Sequence, residues 1–71
     1  MIQNMKSSFK PCVGDLIVWH NQHLVAFVEL VDGGMMRLVE FRDDMIWKEW
    51  YDIIEFGKCM DDMNIAHLSA T

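Results

Sequence analysis

Five side chains in this sequence could ligate a metal or pair a nucleophile with a base: Cys12, Cys59, His20, His23 and His67. A structural zinc site takes four such ligands, commonly in closely spaced pairs, and a cysteine nucleophile needs a histidine oriented by a third group. Neither pattern is here. Cys12 and Cys59 form no CxxC pair and no disulfide framework, so both are expected as free thiols in a reducing compartment, with a Cys12–Cys59 bond as the alternative under oxidation. His20 and His23 flank the turn-forming Asn21–Gln22 and read as exposed hairpin residues. Ser7, Ser8 and Ser69 lie near the ends. The paired acids Asp43–Asp44 and Asp61–Asp62 sit where turns and caps are expected. Asp32–Gly33–Gly34 lacks the lysine and following helix of a phosphate-binding loop. No catalytic residue, metal site or cofactor is expected, and the chain reads as a non-enzyme.

What remains is the chemistry of contact. Trp47, Trp50 and Tyr51 stand close to Asp43, Asp44, Glu49 and Met45. Aromatic faces attract cations, and acids around aromatic anchors steer a basic partner. Seven methionines in 71 residues is a high count, and flexible thioethers suit adaptable contact surfaces. These seven residues, 43–45, 47 and 49–51, are the candidate binding surface. The competing structural reading is that the aromatics and methionines fill a small core and the acids are a solvated face.

The charge distribution bears on the partner. The formal net charge is −5, and residues 13–57 hold nine acids against Arg37, Arg42 and Lys48. Such a surface repels phosphate backbones, so a protein partner, a host protein or another copy of the chain, is favoured over nucleic acid. Lys6, Lys10, Arg37, Arg42 and Lys48 supply the alternative, a local basic patch. No apolar run approaches the roughly 20 residues of a membrane span. The first residues carry no apolar core of a secretory signal, so a cytoplasmic location is expected.

These residues must be positioned by a small scaffold. A chain of 71 residues is one domain with a marginal core, for which self-association is one route to further burial. Residues 1–11 read as a flexible N-terminal arm ending at Pro11. VGDLIVWH (13–20) and HLVAFVELV (23–31) are rich in strand-forming residues, and in the first Ile17 and Trp19 share a face. Asp32–Gly33–Gly34 predicts a tight hairpin, because glycine reaches positive φ without steric cost. MMRLVEFR (35–42) returns as a third strand with Met36, Leu38 and Glu40 on one face.

The stretch DDMIWKEWYDIIEF (43–56) is ambiguous. Asp44 could cap a helix with Ile46, Trp50, Ile53 and Ile54 on one side, giving a three-stranded meander plus a helix at 45–56. Against this, many of its residues are aromatic or β-branched, and apolar groups surround the whole helical wheel. A strand at 45–50, a turn at 51–53 and a closing strand at 54–57 is the preferred arrangement. Residues 58–71 read as a tail in which Asp61 or Asp62 caps a short helix that docks on the body, packs on another copy, or frays.

Five short strands with one tight turn before the last make a mainly β fold laid out as an SH3-like barrel over residues 12–57. The order GDLIVW (14–19), HLVAFVELV, a DGG turn, RLVEF (37–41) and YDIIEF (51–56) resembles small SH3-like barrel proteins of the Tudor or KOW type, which bacteriophages often encode. That resemblance implies a binding module, and in a phage setting a modulator or inhibitor of a host protein. KOW-type relatives that bind nucleic acid usually present basic residues, and this chain has acids at Glu29, Asp32, Glu40 and Asp52 instead. The aromatic cage of Tudor-type domains has candidate walls in Trp19, Phe41, Trp47, Trp50 and Tyr51.

Overall fold

The computed structural model describes residues 9–70. Five strands form one antiparallel sheet: β1 (Leu16–Trp19), β2 (Leu24–Asp32), β3 (Met35–Arg42), β4 (Met45–Asp52) and β5 (Ile65–Leu68). Helix α1 (Ile53–Cys59) connects β4 to β5. The strand order is β4-β3-β2-β1-β5, so β4 and β5 are the two edges and the sheet is not closed into a barrel.

Local chemistry explains the hairpins. Gly33 and Gly34 turn β2 into β3 with φ of 60° and 98°, and Asp43 and Asp44 turn β3 into β4 with φ of 53° and 61°. Two left-handed residues in a row match the right-handed twist of the flanking strands, which is why glycine, asparagine and aspartate gather there. Alternation then places Ile17, Trp19, Ala26, Val28, Met36 and Leu38 on one buried face. Each large apolar side chain covered this way contributes about 1.5–3 kcal/mol.

Helix α1 closes that face. Asp52 caps it, its carboxylate accepting from the Glu55 N–H at 3.0 Å, and Phe56 turns inward against Trp19, Tyr51 and Phe9 with ring centroids 5.8, 5.2 and 5.7 Å away. Gly57 lets Phe9 lie directly on the helix, since a Cβ there would stand 3.2 Å from the Phe9 Cβ.

Three expectations are corrected. Residues 54–57 are helical, not a closing strand, because the cap at Asp52 and the burial of Phe56 outweigh the β-branched pair Ile53–Ile54. The alternative helix at 45–56 does not form either, since 45–52 pairs with β3 along its whole length. The tail holds a strand in place of a helix, β5, registered on β1 from Leu16↔Leu68 to Trp19↔Ile65. Of the expected arm, residues 1–8 lie outside the described residues, whereas Phe9 packs on the core and Pro11 is buried. No helix among the described residues is long and apolar enough to cross a membrane.

Asp15 joins the first and last strands. Its buried carboxylate accepts from the backbone N–H of Cys12 and of Ala70, both at 2.9 Å, and meets His67 Nε2 at 2.7 Å. The bond to His67 and then the two amides hold its pKa down at about 2, against the opposing cost of burial.

Candidate functional site

On the covered side of the sheet, β3, β4, α1 and β5 enclose a cleft of about 490 Å³. Its apolar walls are Trp19, Leu24, Phe56 and Ile65, and its acids are Glu40, Glu49, Asp52 and Glu55. Strand pairing builds it. Leu38 is opposite Glu49 and Met36 is opposite Tyr51, so Glu49 and Tyr51 continue the core-facing rows outward onto the edge strand, where nothing covers them fully.

Glu40 is the unusual member. It stands on the core face with 4% of its surface exposed, and its carboxylate lies 3.2 Å from Arg42 Nε. Burial, followed by the nearby charges of Glu40 and Glu49, pushes the Tyr51 pKa up. A buried carboxylate on an otherwise apolar row is tolerated because it is paired with Arg42. Arg42 is the one cation among the groups that line the cleft, against four carboxylates.

The seven residues expected to bind are divided by the pleat. Glu49 and Tyr51 line the cleft. Trp47 stands on the same face beside it, with the Arg42 guanidinium 4.7 Å over its ring and its indole N–H donating to the Arg42 carbonyl oxygen at 3.4 Å. Trp50 is on the opposite face, covered by Arg37 at 5.5 Å. Met45 is exposed beside the hairpin turn made by Asp43 and Asp44. The tryptophans therefore do not converge on one cage, and each already carries a cation of this chain.

Of the cleft residues, Trp19 is expected from the sequence only as a candidate cage wall, and Leu24, Phe56, Glu40 and Glu55 are not singled out for binding. One signal was present for Glu40, the acid that shares a strand face with Met36 and Leu38. No comparable signal existed for Phe56, whose role depends on a helix.

The thiols of Cys12 and Cys59 are both exposed and unbonded to each other. Among the described residues no three histidine, cysteine or acidic side chains gather as a metal site. No protein-family model, curated protein or solved structure matches this chain.

Proposed function

We propose that this chain is a non-enzymatic protein-interaction module that holds a lysine or arginine side chain of a basic partner segment in the acidic cleft. The observation that carries this is the combination of an apolar floor, Trp19, Leu24 and Phe56, with carboxylates at Glu49 and Glu55. Long cationic side chains bury their methylene stems on apolar surface and keep the charged head on acceptors, and hydrogen bonds to an ionised partner are the stronger kind. Glu40 and Tyr51 sit deeper and orient the wall.

Three features support an SH3-like architecture: the strand order β4-β3-β2-β1-β5, the irregularity in β2 between Val28 and Leu30, and the helix just before the last strand. Bulges bend a strand and let an open sheet coil. The nucleic-acid alternative has less support, because Arg37 and Lys48 both rest on Glu29 and Arg42 on Glu40. These cations are paired within the chain, although Arg37 and Lys48 share one carboxylate.

Titration of the labelled protein with a short lysine- and arginine-rich peptide, followed by NMR, tests the proposal. Shifts are expected at Trp19, Leu24, Tyr51 and Phe56, with affinity falling as salt rises. Equal binding of an acidic peptide of the same length, or shifts confined to the other side of the sheet, would refute it.

A further inference from the structure

The sheet has a second face, and helix α1 does not cover it. Side chains there form two apolar rows across the strands. One runs Leu68, Leu16, Phe27 and Val39 through paired positions, and the other holds Val18 and Val25, paired, and Phe41 and Ile46, also paired. Phe41 is 68% exposed and Ile46 59%. Leu16, Val25, Phe27 and Leu68 are each between 38% and 51% exposed. At roughly 200 Å² for a fully exposed large side chain, these six present about 600 Å² of apolar surface. That equals the upper end of the largest patch on an ordinary monomer, and is about three-quarters of the roughly 800 Å² per partner of a standard interface before any polar rim is counted.

The charges say what covers it. Beside the apolar rows the charged groups are Glu29, Arg37 and Lys48, with Glu29 at 2.7 and 3.3 Å from the two cations. Burial opposes ionisation of Glu29, but the hydrogen bonds and charges of Arg37 and Lys48 outweigh it and hold its carboxyl below the usual range. A trio of net +1 is an uncommon patch on a chain of net −5. Two copies of this acidic molecule meet there without setting acid against acid.

We infer that this face is the interface of a symmetric homodimer, in which two sheets stack as a β-sandwich. A two-fold axis running across the strands, midway between the two apolar rows, lays each row of one copy on the other row of its mate. Phe41 then meets Val39 of the second copy, and Ile46 meets the stem of its Lys48. The same operation carries the acidic Asp43–Asp44 turn over Arg37 of the second copy, so the charges at the ends of the patch are complementary. Isologous contact of this kind is the commonest way small chains associate, and face-to-face sheets about 10 Å apart form one shared core. The cleft on the opposite side of each sheet remains open, so the dimer offers two of them.

Sedimentation and light scattering on the full chain give the first test, with twice the 8.4 kDa chain mass expected. Phe41→Glu and Ile46→Lys, made separately at exposed positions, are each expected to weaken the dimer by roughly thirtyfold, as loss of a central anchor does. Their far-UV circular dichroism is expected to stay that of the wild type. Isotope-filtered NMR on a mixture of labelled and unlabelled wild-type chains is expected to show contacts between Phe41 and Val39 of different copies. A monomeric wild type at every concentration overturns the proposal. So does a dimer that survives both substitutions, or intermolecular contacts that map to the β4 or β5 edge.

Discussion

The two faces of this sheet are built from the same strands by the same alternation, yet they differ in what completes them. On the covered face Ile17, Val28, Met36 and Leu38 are fully buried under α1 and its Phe56. On the bare face the residues that alternate with the core positions along the same strands, Leu16, Phe27 and Phe41, keep much of their surface. Apolar character alone therefore does not say which residues hold this fold. The side on which the connection between β4 and β5 crosses decides it, and the paired carboxylate of Glu40 marks that side as the place where polar groups had to be accommodated.

The largest contrast is expected from truncating one residue on each face. Leu38→Ala leaves a cavity in the core and is expected to cost about 2–5 kcal/mol in urea unfolding. Phe41→Ser, made in a background where the chain is monomeric, is expected to stay within about 0.5 kcal/mol of its parent. Similar losses at both positions would erase the distinction between the faces.

Acid titration probes the tie that keeps the outermost strand beside β1. The Asp15 carboxyl is depressed from 3.8 to about 2, so the stability it contributes is complete above about pH 4 and is lost as pH falls through about 2. Tm is expected to decline over that interval in the wild type and to decline less in Asp15→Asn, which starts from a lower value. Parallel pH profiles for the two proteins would show that Asp15 is not the linked group.

A smaller effect separates binding from folding at the cleft. Glu49 is exposed on the edge strand, so Glu49→Gln is expected to leave the unfolding midpoint in place. It is expected to weaken the basic peptide about tenfold, equivalent to about 1.4 kcal/mol. Calorimetry reads the second change and denaturant titration the first. An unchanged affinity would remove Glu49 from the site.

The smallest effect is a gain. Asp44 holds φ at 61° in the β3–β4 turn, a region that costs an L-residue energy and costs glycine almost none. Asp44→Gly is expected to raise stability by about 0.5–1 kcal/mol in thermal unfolding. A lower Tm would mean that the Asp44 carboxylate has a role beyond the turn.

Much of the sheet was legible without coordinates. The Asp32–Gly33–Gly34 turn and the alternation on either side of it place β2 and β3 within a residue or two, and Ile17 and Trp19 share a face of β1 that the structure shows to be the inward one. The stretch around Ile53–Ile54 misled for a definite reason. Its β-branched residues favour a strand, but a chain that has just left the sheet edge at Asp52 finds a cap from that carboxylate and a hydrophobic socket for Phe56 among Trp19, Tyr51 and Phe9. The segment expected as a capped helix in the tail became β5 because β1 offers it a free row of backbone partners. The candidate site was legible only in part, since Glu49, Tyr51 and, as a cage wall, Trp19 were named but Leu24 and Phe56 were not.

By itself the sequence determined the strands whose partners follow in order along the chain, the two left-handed turns and the acidic balance, because each depends on residues a few positions apart. Tertiary structure alone decided the edge at which β5 docks, the face that α1 covers and the convergence of Trp19, Glu49 and Phe56 around one cleft. Those depend on contacts between residues far apart in the chain, where local preference is outweighed by burial and by the pairing of backbone groups that would otherwise be left unsatisfied.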